Sequence, residues 1–165
     1  MAAGATYTPI ATYTASSATS SYTFNSIPST YTDLVLIISG QSTASLQVKM
    51  TFNGDTSSSN YSQTTLAGNG TSAVSASSSN AAYITPDYYY SFTTNGGMAR
   101  FNIMNYANTT TYKTVLMRSD NAGTATMANV GLWRSATAIN QIYLLTSTST
   151  FATGSTFTLY GISSA

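Results

Sequence analysis

Four aspartates, two lysines and three arginines are the whole charged complement of this 165-residue chain, which has no His, Cys or Glu. Acid–base and nucleophilic chemistry draws on His, Glu, Asp, Lys or Cys whose pKa is tuned near neutrality. What remains is a serine–lysine pair, a pair of carboxylates, or a hard-cation site built from oxygens. Ser is abundant, but neither Lys49 nor Lys113 falls in a serine–lysine motif, and Lys49 holds an outward position of an alternating run. Asp33, Asp55, Asp87 and Asp120 are never closer than 22 residues in sequence. Two could meet in space as the carboxylates of a glycosidase do. Each, however, stands beside a turn or strand edge, where Asp is a turn former. Asn53 and Asp55 offer oxygens to calcium without the spacing of a calcium loop. The expectation is no catalytic residue, no metal ligand, no cofactor and no enzyme activity.

Hydroxyls take the place of charge. The chain has 30 Thr, 26 Ser and 13 Tyr, while charged residues make up 5% against ~25% in ordinary domains. Hydrophobic content is 42% and net charge only +1, which favours a folded domain over a disordered chain. Net charge near zero promotes association, so the chain is read as one that builds or binds. Lys49, Arg100, Lys113, Arg118 and Arg134 do not cluster, and no nucleic-acid partner is expected. No run approaches the ~18 apolar residues of a membrane helix, and no membrane partner is expected. The start, Met1–Thr6, lacks the basic and apolar stretches of a secretory signal.

The elements that position these residues read as strands. Asp33–Ser39 is a short apolar run, expected as a central strand covered on both faces. Leu46, Val48, Met50 and Phe52 alternate with polar residues and stop at Asn53-Gly54-Asp55, a strong turn signal. Further strands are expected at 6–14, 19–24, 99–106, 112–118, 127–133, 139–145 and 156–162. No helix of any length is expected, given the β-branched and hydroxyl-bearing composition. Residues 56–80, with the runs Ser57–Ser59 and Ser77–Ser79 and with Gly68-Asn69-Gly70, read as long loops around one or two short strands. Spacings of about 8–12 residues between strands imply a sandwich or barrel. The fold class expected is all-β, a single-domain, jelly-roll-like antiparallel β-sandwich over 15–165, preceded by an N-terminal arm or edge strand at 1–14.

Two segments stand out as interface candidates. Tyr88-Tyr89-Tyr90, read as a strand, puts Tyr88 and Tyr90 on one face and Tyr89 on the other. Such a strand fills a core from both sides, or forms a protein interface or a sugar platform. The N-terminal stretch carries Tyr7, Ile10 and Tyr13 among small and β-branched residues, with Pro9 barring a regular central strand. It is expected to be an extended arm or edge strand ordered by a neighbouring subunit or another protein. Trp133-Arg134 reads as Trp in the core and Arg on the rim.

With the strands laid out, several runs carry a resemblance. They are Tyr22–Ile38, Phe52-Asn53-Gly54-Asp55, Asn60-Tyr61-Ser62, Val130–Arg134 with Ala138-Ile139-Asn140, and Ser155–Ile162. Across about Tyr7 to Ile162 the chain resembles small virion structural proteins of tailed bacteriophages, including cyanophages. These runs keep a fold and name no active site. The resemblance implies a virion location, either as a capsid decoration (cement) protein or with the tail fibres. The favoured expectation is a homotrimer on the capsid surface, clipped over capsomer junctions and bound to the major capsid protein. A fibre shaft with its attachment segment is not expected within 165 residues. The alternative is a tail-fibre or receptor-binding module whose aromatic, Asn-rich face binds carbohydrate.

Overall fold

The computed structural model of the chain describes residues 6–163. Eleven strands follow one another: β1 (Tyr7–Thr14), β2 (Ser21–Phe24), β3 (Asp33–Gly40), β4 (Val48–Phe52), β5 (Tyr61–Gly68), β6 (Ala73–Ala81), β7 (Gly97–Ile103), β8 (Lys113–Asn121), β9 (Ala125–Trp133), β10 (Ile142–Thr146) and β11 (Thr156–Ile162). They form an eight-stranded sheet, β1-β11-β3-β7-β8-β9-β5-β6, and a three-stranded sheet, β2-β10-β4. Every strand pair is antiparallel. The result is the all-β antiparallel sandwich expected from the sequence, in one domain and with no helix among the described residues.

Period-two alternation decides what lies between the sheets. From the large sheet Leu34, Leu36 and Ile38, Phe101 and Ile103, Val115 and Met117, and Phe157 and Leu159 point inward. Val48, Met50, Phe52, Ile142 and Leu144 meet them from the small sheet. Aromatic rings seal the β1 end, where Tyr13 stacks on Tyr22 at 4.1 Å between centroids and both lean on Phe157. β3 lies inside the large sheet as expected, but among the described residues no second layer covers its outward side. Val35 is shielded there by its register neighbours Tyr160 and Asn102.

Two further expectations are corrected. Residues 56–80 are not long loops, because β5 and β6 are full strands joined by a tight turn. Their Ser and Thr lower intrinsic strand preference little, and pairing with β9 decides the matter. The segment Tyr88–Tyr90 is not a strand but part of the connection between β6 and β7.

β1 is the edge strand of its own sheet, paired with β11 from Tyr7 to Thr14. Within the chain it thus takes the edge-strand form of that expectation. The register shifts between Pro9 and Ala11, so the edge carries both a proline and a bulge. Residues 1–5 of the expected arm lie outside the described residues.

Candidate functional site

The connection between β6 and β7 runs beside β4 and completes the small sheet. Met50 N–H donates to the Ile84 carbonyl at 2.8 Å, and Ile84 N–H returns the bond at 3.0 Å. Leu46 N–H donates to the Phe92 carbonyl at 3.0 Å. Between these two points the segment arches away, and the Asp87 side chain takes over. Its Oδ2 accepts Val48 N–H at 2.8 Å. One step further along β4, Phe52 N–H donates to the Tyr61 hydroxyl at 3.0 Å, and that hydroxyl donates to the Asp55 carbonyl at 2.9 Å. Four alternate N–H groups, three on β4 and that of Leu46 just before it, are thus taken by two backbone carbonyls, a carboxylate and a phenol.

Glycines let the arch close on the large sheet. A Cβ on Gly131 would meet Ile84 at 3.0 Å, and one on Gly97 would meet the Ser91 carbonyl oxygen at 2.0 Å. Between those contacts the Pro86 carbonyl accepts Ser119 Oγ at 2.9 Å and the Asn129 side-chain amide. Thr85 N–H donates to Gln63 Oε1 at 2.8 Å. Asp87 itself is 5% exposed, and the fully buried Ser91 hydroxyl donates to its Oδ1. Burial pushes this carboxyl up to about 6, against the opposing pull of its Ser91 and Val48 hydrogen bonds.

The sequence-expected residues fall in three places. Tyr88 and Tyr90 lie on the arch, both close to half exposed. Tyr89 turns inward onto Ala67, Ala125 and Met127, while the Tyr88 and Tyr89 N–H groups point at the Met127 sulfur, 3.2 Å away. On β1, Tyr13 and Ile10 pack against the core, whereas Tyr7 is 47% exposed on the outward face. Its ring meets Tyr160 edge-on at 5.9 Å, and its hydroxyl accepts Arg100 Nη2 at 2.9 Å. The N-terminal and arch tyrosines therefore do not make one surface.

Every aspartate is engaged within the fold. Asp33 Oδ1 accepts Asn105 N–H at 2.6 Å. Asp120 accepts the Thr126 hydroxyl and lies 3.7 Å from Arg118 Nη2. Asp55 collects Ser57 N–H at 3.0 Å, Asn60 Nδ2 at 2.8 Å and Trp133 Nε1 at 2.7 Å. Partial burial pulls the Asp55 carboxyl upward, but the bonds from Trp133, Ser57 and Asn60 together hold it below its usual value. Its neighbour Asn53 spends its side chain on Ala138 O, Asn140 N and Gln141 N. No three of the potential metal-binding side chains come together among the described residues.

Of the cations, Lys49 lies over the Tyr83 ring, 4.3 Å from its centroid. Lys113 is buried on the inward side of β8 and donates to the Thr111 carbonyl at 2.8 Å. Desolvation lowers its pKa. Trp133 is in the core, and Arg134 reaches the Ser59 and Ser79 carbonyls from the rim at 2.9 and 3.1 Å. Arg100 and Arg118 are register partners on β7 and β8.

Sequence reasoning missed the buried role of Asp87. The segment Thr85-Pro86-Asp87 does hold a local signal, since Asp87 N–H donates to Thr85 Oγ1 at 3.1 Å. The partner strand at Val48 is 39 residues away, beyond the reach of any local pattern. No protein-family model matches the chain, and no curated protein sequence matches it either.

Proposed function

We propose that the chain is a structural protein of a tailed-phage virion, a decoration protein that self-associates and binds the major capsid protein on the head surface. The observation that supports this most is how the few chemically capable side chains are spent. All four aspartates are tied into the fold, and the outward surface carries hydroxyls, Asn and Tyr together with a few exposed apolar side chains such as Leu66, Leu116 and Val130. Such a surface makes hydrogen bonds across an interface without desolvating charge. The resemblance of Tyr22–Ile38 and Ser155–Ile162 to small virion proteins points to the same setting. In purified particles, quantitative mass spectrometry is expected to find the chain at hundreds of copies per virion, in fixed ratio to the major capsid protein. Absence from the particle would overturn the virion reading, and a handful of copies would overturn the capsid placement.

A second reading has its own support in the exposed Tyr88 and Tyr90 on the arch. Aromatic rings held on a rigid loop are suited to stacking on sugars, as a fibre-tip or receptor-binding module requires. A glycan-array signal lost in Tyr88→Ala and Tyr90→Ala variants is the result expected under that reading. No signal with the wild-type protein would remove it.

A further inference from the structure

The eight-stranded sheet ends on β6, and this edge is open. Antiparallel ladders alternate, with each residue turning its N–H and C=O to one side. Asn69 N–H donates to the Ser72 carbonyl across the β5–β6 turn at 3.2 Å, which sets the phase. Counting along the register, Val74, Ala76 and Ser78 turn to β5. Ala73, Ser75, Ser77 and Ser79 then direct their N–H and C=O groups outward. The side chains of these four residues are exposed, as the coupling of pleat and ladder requires, and the alternation breaks only at Asn80, also exposed, where the register shifts. One of the outward groups, the Ser79 carbonyl, accepts Arg134 Nη2 at 3.1 Å. For the other outward groups among the described residues, no protein partner is found.

Native sheets blunt such edges with proline, charge, bulges or a covering segment. This chain does so at the other end, where β1 carries Pro9 and a register shift. It does so again along β4, which the arch covers. On β6 the register shifts past Ser78, opposite Tyr61–Gln63, which leaves Ala73–Ser78 as a regular open run without proline, charge or a large side chain.

We propose that β6 is a self-association site, where a second copy adds its own β6 antiparallel about a twofold axis. The best overlap sets Ser75 opposite Ser77 of the partner copy and Ala73 opposite Ser79, so that the four outward-facing residues meet their counterparts. Ala76 then faces its own symmetry mate. A twofold contact needs a surface complementary to itself, and uncharged Ser and Ala meet that need with neither repulsion nor clash. A trimer instead needs unlike surfaces meeting head to tail, and the other edge of this sheet is interrupted. The inference stands independently of the virion reading.

The test is sedimentation equilibrium on the purified chain at rising concentration. A contact of one strand pair is small and weak by the standards of stable interfaces, so association is expected at high micromolar to millimolar protein. Wild type is expected to reach twice its 17.3 kDa monomer mass. Ser77→Pro removes an outward N–H and sets a ring on the edge, and is expected to hold the mass at one copy. Ser75→Lys leaves the backbone free but places like charges across the axis. It is expected to weaken association at least tenfold at low salt and to regain part of it at high salt. Circular dichroism checks that each variant keeps its strand spectrum, and the lysine variant carries the test if the proline variant does not fold. A wild type that stays monomeric at millimolar concentration, a mass of three copies, or unaltered dimerisation of the folded variants would overturn the proposal.

Discussion

β4 and β6 each lie at the edge of a sheet, and the chain finishes them in opposite ways. Along β4 and its lead-in the outward N–H groups of Leu46, Val48, Met50 and Phe52 meet Phe92, Asp87, Ile84 and Tyr61. All four donors are buried in the core, where an unpaired N–H costs about 1–3 kcal/mol. Along β6 the corresponding groups face water, which satisfies them without any protein partner. The difference teaches that an edge strand needs internal closure only where it is buried. An edge at the surface can be left open, and it then becomes a place where another strand fits.

If the closure of β4 depends on one carboxylate, removing it has the largest effect. Asp87→Ala leaves Val48 N–H and the Ser91 hydroxyl buried without their partner, and is expected to cost about 2–4 kcal/mol near pH 5 in urea unfolding. A loss below about 1 kcal/mol would mean that the arch holds β4 through its two backbone bridges alone.

The same carboxylate gives a pH dependence of known sign. Its folded value of about 6 stands above its ordinary 3.8, so the folded state binds more protons than the unfolded state between those values. Stability is therefore fully present below about pH 4 and falls as pH rises through 6. Roughly two pH units at about 1.4 kcal/mol each amount to about 3 kcal/mol. Asp55 acts in a separate window, since its lowered value contributes stability that is lost only as pH falls below about 4. Unfolding free energies measured from pH 4 to 8 are expected to decline in wild type and to stay flat across that window in Asp87→Asn. A wild-type profile without the decline would show that Asp87 is ionised at no cost.

A smaller effect is expected at the other side-chain closure. Tyr61→Phe keeps the ring between Phe52 and Trp133 but removes the acceptor for Phe52 N–H. The expected cost is about 1–2 kcal/mol in the same urea assay. A neutral result would place another acceptor at that N–H.

The contrast between these edges also separates what was legible in the sequence from what was not. Val48, Met50 and Phe52 announce β4 by alternation, and Asn53-Gly54 announces its end, with both residues at positive φ (51° and 71°). Tyr13, Phe157 and Trp133 were readable as apolar residues of strands. The arch was not readable, because three consecutive tyrosines look like a strand while Pro86 and the Asp87 side chain turn the chain out of the ladder. Asp87 itself reads as a turn former, and its burial depends on Val48, Ser119 and Asn129 arriving from other strands. β6 was expected at most as a short strand among loops, for the opposite reason. Its Ser and Ala carry no apolar alternation, and only its pairing with β5 makes it a strand. The candidate residues Tyr7 and Tyr88–Tyr90 were found by type alone, which cannot tell that they belong to separate surfaces.

Residue-resolved amide exchange by NMR tests the open edge most directly, because open and closed positions alternate within one strand. In dilute solution Val74, Ala76 and Ser78 are expected to be protected by β5, while Ala73, Ser75, Ser77 and Ser79 exchange fast. At millimolar protein those four outward amides are expected to slow together, with the protection of Val48 and Met50 on β4 unchanged. Outward amides already protected in the dilute monomer, or indifferent to concentration, would contradict the account.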